Sequence, residues 1–255
     1  YYIAPQLWAW NEKRIKEIKK YINSLYVILP FEKEFFESKH NYPVKFLGHP
    51  LTDSIYNFKT NNTSSNKLIT TDKKPIIAIL PGSRKQEIKK ILNTVIETVE
   101  CFKEYQFIVA GAPNIELSYY TSIIKNKKIK VIENKTYELL SVSYAAIVTS
   151  GTATLETALF KVPQVVCYKS SYFSFIIAKL IVNIKYISLV NLIMDQEIVK
   201  ELIQQDCNKN KITKELKKIL DLNHRKSLKV KYDELASILG NFGTSKRVAL
   251  DIITK

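Results

Sequence analysis

The stretch Val148-Thr-Ser-Gly-Thr-Ala-Thr-Leu-Glu156 follows the apolar run Ala145-Ala146-Ile147 and is small and hydroxyl-rich. It predicts a buried strand ending at Thr149, a helix opening at Thr152, and Gly151 at the junction between them. The first N–H groups of a helix have no intrahelical acceptor and lie at the positive end of its dipole. A glycine removes the side chain that would block them, so Ser150-Gly151-Thr152 predicts an anion site at a strand end. Thr152 is expected to act as the N-cap as well, a common use of a hydroxyl residue there. Glu156, about one turn in, reads either as an acid favoured by the dipole or as an acceptor for sugar hydroxyls.

Outward from this junction, short apolar runs alternate with longer lysine-bearing segments of helical period. Strands are predicted at 25–29, 44–47, 76–80, 106–110, 129–132, 145–149 and 164–168. Helices are predicted at 12–22, 31–39, 86–102, 115–125, 137–142 and 152–161. Strands apolar almost throughout are expected in parallel sheets covered on both faces, and the alternation implies βαβ units. Residues 59–74 are rich in Asn, Thr, Ser and Lys and read as a linker. From about Asp195 the pattern is helical to the end, with a break near Gly240-Asn241-Phe242-Gly243.

The chain has only six glycines in 255 residues. Four of them, Gly48, Gly82, Gly111 and Gly151, follow predicted strands, which points to a ligand-binding edge at the strand carboxyl ends. Leu80-Pro81-Gly82-Ser83-Arg84 is the second such turn. Ser83-x-x-Gln86 matches a capping box, but Arg84 puts a cation where the dipole disfavours one, which suggests a task on a diphosphate. Neither a G-x-x-x-x-G-K-[ST] loop nor a G-x-G-x-x-G is present, so an ATPase or dinucleotide enzyme is not supported. His49, between Gly48 and Pro50, is a candidate base or donor or a structural turn residue. Trp8 and Trp10 form either an aromatic wall or part of the core.

Composition narrows the partners. The formal charge of +15 suits an anionic membrane surface or phosphorylated substrates, or else a solvated lysine-rich exterior; nucleic acid fits poorly because the lysines are spread out. Cys101, Cys167 and Cys207 read as reduced thiols. With three histidines and no metal-ligand spacing, no metal and no cofactor is expected. The most apolar window, 173–184, falls short of the roughly 20 residues a membrane span needs. It reads as a buried or interfacial helix. The only methionine is Met194 and the chain opens Tyr1-Tyr2-Ile3, so a fragment of a longer protein is expected.

These residues resemble the bacterial lipid-A-disaccharide synthase family, glycosyltransferases of the GT-B fold. The resemblance runs through Pro5-x-x-Trp8-Ala9-Trp10, Leu29-Pro30-Phe31-Glu32, Gly48-His49-Pro50 and Leu80-Pro81-Gly82-Ser83-Arg84. It continues through Ser150-Gly151-Thr152-Ala153 with Leu155-Glu156, Ser188-Leu189-x-Asn191-Leu192 and Val199-Lys200-Glu201-Leu202-x-Gln204. It implies an α/β chain in which 1–58 closes an acceptor-binding Rossmann-like domain and 75–240 forms the UDP-sugar donor domain. Residues 241–255 would form a helix packing back on the first part.

The implied reaction is inverting and metal-independent. It joins UDP-2,3-diacylglucosamine to lipid X, 2,3-diacylglucosamine 1-phosphate, as a β-1,6 disaccharide with release of UDP. Arg84 and Asn191 match positions the family relies on for activity. Gly82, Ser83, Arg84, Ser150, Gly151, Thr152, Glu156 and Gln204 would bind the donor. Trp8, Trp10, Glu32 and His49 would lie on the acceptor side. A cytoplasmic enzyme peripheral on the inner membrane, with a homodimer among its assemblies, is the expected setting. Asn11 and Val190 depart from the family's usual residues, and the proposed general base would precede Tyr1, so this fragment alone is expected to turn nothing over. The rival readings are a UDP-GlcNAc epimerase, another GT-B transferase, or a non-catalytic basic adaptor for membrane or nucleic acid.

Overall fold

The structure is a computed structural model that describes residues 1–61, 72–125, 129–170 and 185–254. The apolar window 173–184 and most of the linker lie outside the described residues. The first part holds helix α1 (Ile15–Tyr21), strand β1 (Tyr26–Val27), helix α2 (Pro30–Glu34), strand β2 (Lys45–Phe46) and helix α3 (Leu51–Asn61), with β1 and β2 paired in parallel. Helix α3 runs into the span read as linker, because Ile55 and Phe58 give it apolar positions that pack.

The second part is an open sheet of β3 (Ile76–Leu80), β4 (Gln106–Gly111), β5 (Ile129–Glu133), β6 (Ser143–Thr149), β7 (Gln164–Tyr168) and β8 (Lys200–Ile203). Its order is β5-β4-β3-β6-β7-β8, and every pair is parallel. The helices between and after these strands are α4 (Lys85–Val99), α5 (Leu117–Ile123), α6 (Thr136–Val142), α7 (Thr152–Leu159), α8 (Leu189–Met194), α9 (Lys209–Leu220), α10 (Leu222–Leu239) and α11 (Thr244–Ile253).

All five β3 side chains are buried, and the period of two divides them between the faces. Ile77 and Ile79 pack with Ile88, Ile91, Leu92 and Val95 of α4 on one face. Ile76, Ala78 and Leu80 pack with Leu139 and Leu140 of α6 on the other. Each of the isoleucine, leucine and valine side chains contributes about 1.5–3 kcal/mol on leaving water. A strand apolar throughout is therefore the signature of a sheet covered twice.

One expectation is corrected here. The chain after Asp195 is not all helical: Lys200–Ile203 forms β8, paired with β7 through Val165 to Tyr168. Only Leu202 of its four residues is buried, as befits a charged edge strand, so its own pattern carries little strand signal.

Helix α11 returns to the first part of the chain. The Asp53 carboxylate accepts from the N–H groups of Gly243, Thr244 and Ser245 at 2.6, 3.1 and 2.8 Å, capping a helix 190 residues away. Lys45 reaches Asp251 at 2.7 Å, and the Arg247 guanidinium donates to the Leu47 carbonyl at 3.0 Å. Gly48 permits the approach: a Cβ there would lie 2.5 Å from Thr244 Oγ1.

Candidate functional site

At β3 the strand order reverses, since its successor β4 lies on one side and β6 on the other. Loops leaving β3 and β6 diverge to opposite faces, and a crevice opens between them. A cleft of about 310 Å³ occupies that place. Its walls are the β3 turn from Leu80 to Ser83 with Glu87, the β4 turn from Ala110 to Pro113, Thr136, and the β6 turn from Thr149 to Ala153 with Glu156.

Two of the helices that open onto this cleft, α4 and α7, start without side-chain caps. Helix α7 has Gly151 as its N-cap, at φ 146° and ψ −163°, and α4 has Arg84, extended at φ −112°. Two sequence expectations are corrected by this. Thr152 is the first helical residue and not the cap. The Ser83–Gln86 capping box does not form, because α4 begins one residue later than that spacing requires. The first-turn N–H groups of both helices are thus left without a side-chain acceptor. Around Gly151 there is open space: a Cβ there would meet nothing among the described residues within 4 Å.

The other walls have distinct chemistry. Glu87 folds back over Gly82, where a Cβ would come within 2.8 Å of its Oε2. Arg84 pairs with Glu87 at 3.0 Å and is otherwise in solvent, its side chain 82% exposed. The guanidinium therefore neutralises the carboxylate at the mouth of the cleft and remains free to turn inward. Ser150 Oγ donates to the Ile187 carbonyl at 2.7 Å, which fixes its side chain. Glu156 accepts from the Tyr137 hydroxyl at 3.0 Å, and burial raises its pKa above the usual carboxylate value. Thr149 is buried, lines the cleft, and its hydroxyl has no hydrogen-bond partner among the described residues.

The cleft brings together six of the predicted residues: Gly82, Ser83, Ser150, Gly151, Thr152 and Glu156. Arg84 stands at its edge. Asn191 is fully buried in α8, and Gln204 borders a separate groove with Lys90 and Lys169. Trp8 and Glu32 are joined by a 3.0 Å bond from the indole N–H, in a pocket where the carboxylate also accepts from the Leu29 N–H at 2.9 Å. Trp10 is exposed and Trp8 packs edge-on to Phe31, so the two tryptophans do not build one wall. Thr149, Glu87 and Tyr137 are the additions. Thr149 stood in the decisive stretch, but an orphan hydroxyl is visible only once its surroundings are known.

His49 lies at the start of α3, buried, with Nδ1 accepting from the Leu51 N–H at 3.1 Å. Burial pushes its pKa down from 6.5 to about 4. The neutral form belongs to the folded state, so the unfolded chain binds more protons between those limits. The associated stability is complete above pH 6.5 and declines by up to about 1.4 kcal/mol per unit as the pH falls toward 4. Urea unfolding of wild type and H49N across that window should show the extra slope in the wild type alone.

An open parallel sheet of this order, with glycine turns at its switch point, defines a Rossmann-like nucleotide-binding type of domain. The UDP-GlcNAc 2-epimerase of Neisseria meningitidis superposes with a TM-score of 0.65 at 14% identity, over 99% of this chain and 68% of its own. The calicheamicin glycosyltransferase does so with a TM-score of 0.59 at 11% identity, over 94% and 55%. Those likenesses are of fold alone. The family model described as lipid-A-disaccharide synthetase matches residues 1–250. Lipid-A-disaccharide synthases of Coxiella burnetii and Persephonella marina are each 35% identical over 98% of this chain, covering 67% and 69% of theirs. The chain belongs to the lipid-A-disaccharide synthase family, whose members are hexosyltransferases. The epimerase and adaptor readings are not favoured.

Proposed function

We propose that the cleft seats the diphosphate of UDP-2,3-diacylglucosamine between the turns Gly82–Arg84 and Ser150–Thr152, with Glu156 accepting from the ribose hydroxyls. The acceptor is lipid X. Its hydroxyl gives up its proton to a general base, the oxygen bonds to the anomeric carbon as the carbon–oxygen bond to the diphosphate breaks, and UDP leaves with the bonding pair. Catalysis then depends on stabilising negative charge that grows on the departing diphosphate. Two helix N-termini face that charge without reorganising, and Arg84 swings from Glu87 to add a fork of donors. No metal is required for this balance.

The single observation that carries the reading is that two uncapped helices open on one switch-point cleft, one of them behind empty space at Gly151. The lysine-rich exterior suits peripheral docking on the anionic inner face of the membrane, where acylated substrates reside. No helix among the described residues is long and apolar enough to cross a membrane.

Calorimetry with UDP tests the site, with T149V as the second arm. The hydroxyl of Thr149 has no hydrogen-bond partner among the described residues, so valine removes a buried polar group without breaking a bond seen there. We expect UDP affinity to fall about tenfold in T149V while its Tm is unchanged or higher. A chain that ignores UDP at millimolar concentration would overturn the proposal.

A further inference from the structure

Glu156 has one hydrogen-bond partner among the described residues, the Tyr137 hydroxyl on its Oε1 at 3.0 Å. Its second oxygen is left for whatever enters the cleft that Glu156 lines. A carboxylate on a helix has several rotamers open to it, and holding one costs side-chain entropy. The bond from Tyr137 selects the rotamer in advance.

Tyr137 is itself held. Its ring lies 5.5 Å from Phe58 and 5.2 Å from Phe160, and Phe58 and Phe160 are 5.7 Å apart, so the three rings form one cluster in which Phe58 packs edge-on to both others. The members come from three elements: α3, α6 and the end of α7. Lys59 of α3 secures the same junction, with Nζ donating to the Leu159 carbonyl at 3.3 Å and lying 5.2 Å over the Phe160 ring. Aromatic packing here would be met as well by phenylalanine at position 137. The hydroxyl's use is its bond to Glu156.

We propose that Tyr137, clamped by Phe58, is a positioning residue that aims the Glu156 carboxylate at the sugar hydroxyls of the nucleotide. The inference rests on the donor-site reading above. It adds that helix α3, which belongs to the first part of the chain, supports the ribose contact in the second. A displacement of α3 would loosen the cluster and with it the carboxylate.

The experiment is calorimetry on wild type, Y137F and E156Q with two probes, UDP and 2′,3′-dideoxyuridine diphosphate. Wild type should prefer UDP. Y137F should lose about fivefold in UDP affinity and keep its affinity for the dideoxy probe, because only the hydroxyl contact has been loosened. In E156Q the preference for UDP should largely vanish, and adding Y137F to it should change nothing further. Equal losses for both probes in Y137F would make Tyr137 a packing residue only and overturn the inference, as would an unchanged preference. A wild type that binds neither probe overturns the donor site itself, and this inference with it. A wild type that binds both equally leaves the site standing and removes the role of Glu156 and Tyr137.

Discussion

Replacing Asn191 with alanine is expected to lower the unfolding free energy by about 3–5 kcal/mol, because several buried groups lose their partner at once and each costs about 1–3 kcal/mol. Asn191 is fully buried, and all its side-chain capacity is used within the chain. Nδ2 donates to the Val199 carbonyl and to Glu201 Oε1, both at 2.8 Å. Oδ1 accepts from the N–H groups of Ile198 and Val199 at 2.8 and 3.0 Å. Alanine would strand two amides, a carbonyl and part of a carboxylate away from water. Glu201 also accepts from Ile187 and Ser188, and the Ile187 carbonyl accepts from Ser150 beside the cleft. We therefore expect donor affinity in N191A to weaken through Ser150, in step with stability. Urea unfolding with and without saturating UDP checks both. An N191A chain of wild-type stability that no longer gains stability from UDP would show that Asn191 touches the nucleotide, contrary to its burial.

The second large effect is expected at Gly151. Its dihedrals, φ 146° and ψ −163°, lie in a region almost restricted to glycine. Any L-residue there costs about 1–3 kcal/mol through the backbone alone. The space around the Cβ matters more, because Gly151 lines the cleft and a Cβ there would meet nothing among the described residues within 4 Å. G151V should therefore fold with reduced stability and fill the position over the first N–H groups of α7. Two charge-assisted hydrogen bonds lost from the diphosphate predict a decline in UDP affinity of about 100-fold or more. G151A carries the same backbone cost with less bulk, so comparing the two separates strain from obstruction. If G151V bound UDP as wild type does, the diphosphate would not lie over this helix.

Much of the site was legible in the chain because strand-to-helix junctions have a strong local signature. A wholly apolar run such as Ile76–Leu80 or Ala145 to Val148 announces a doubly covered strand, and a glycine just after it marks a turn with exposed amides. Gly82 and Gly151 were found in this way. What such local reading misjudged was capping. Ser83 and Thr152 have the chemistry of N-caps, yet each helix starts one residue away from the position that chemistry would favour, and their N–H groups are left to the cleft. Local preference was overridden at two places on the same cleft, as expected where function competes with stability.

The sequence by itself determined the class of fold, the edge of the sheet at which the candidate cleft opens, and the glycines and arginine placed along it. These follow from periodicities of two and 3.6, which any short window carries. Only the tertiary structure decided that Lys200–Ile203 joins the sheet as its outer strand, that Asp53 caps α11, and that Tyr137 meets Glu156 between Phe58 and Phe160. These contacts join elements far apart along the chain, and their partners are chosen by strand order and helix packing across the whole core. A charged edge strand or a tyrosine at a helix start has no local pattern of its own, because the free energy that places it comes from neighbours the nearby sequence does not contain.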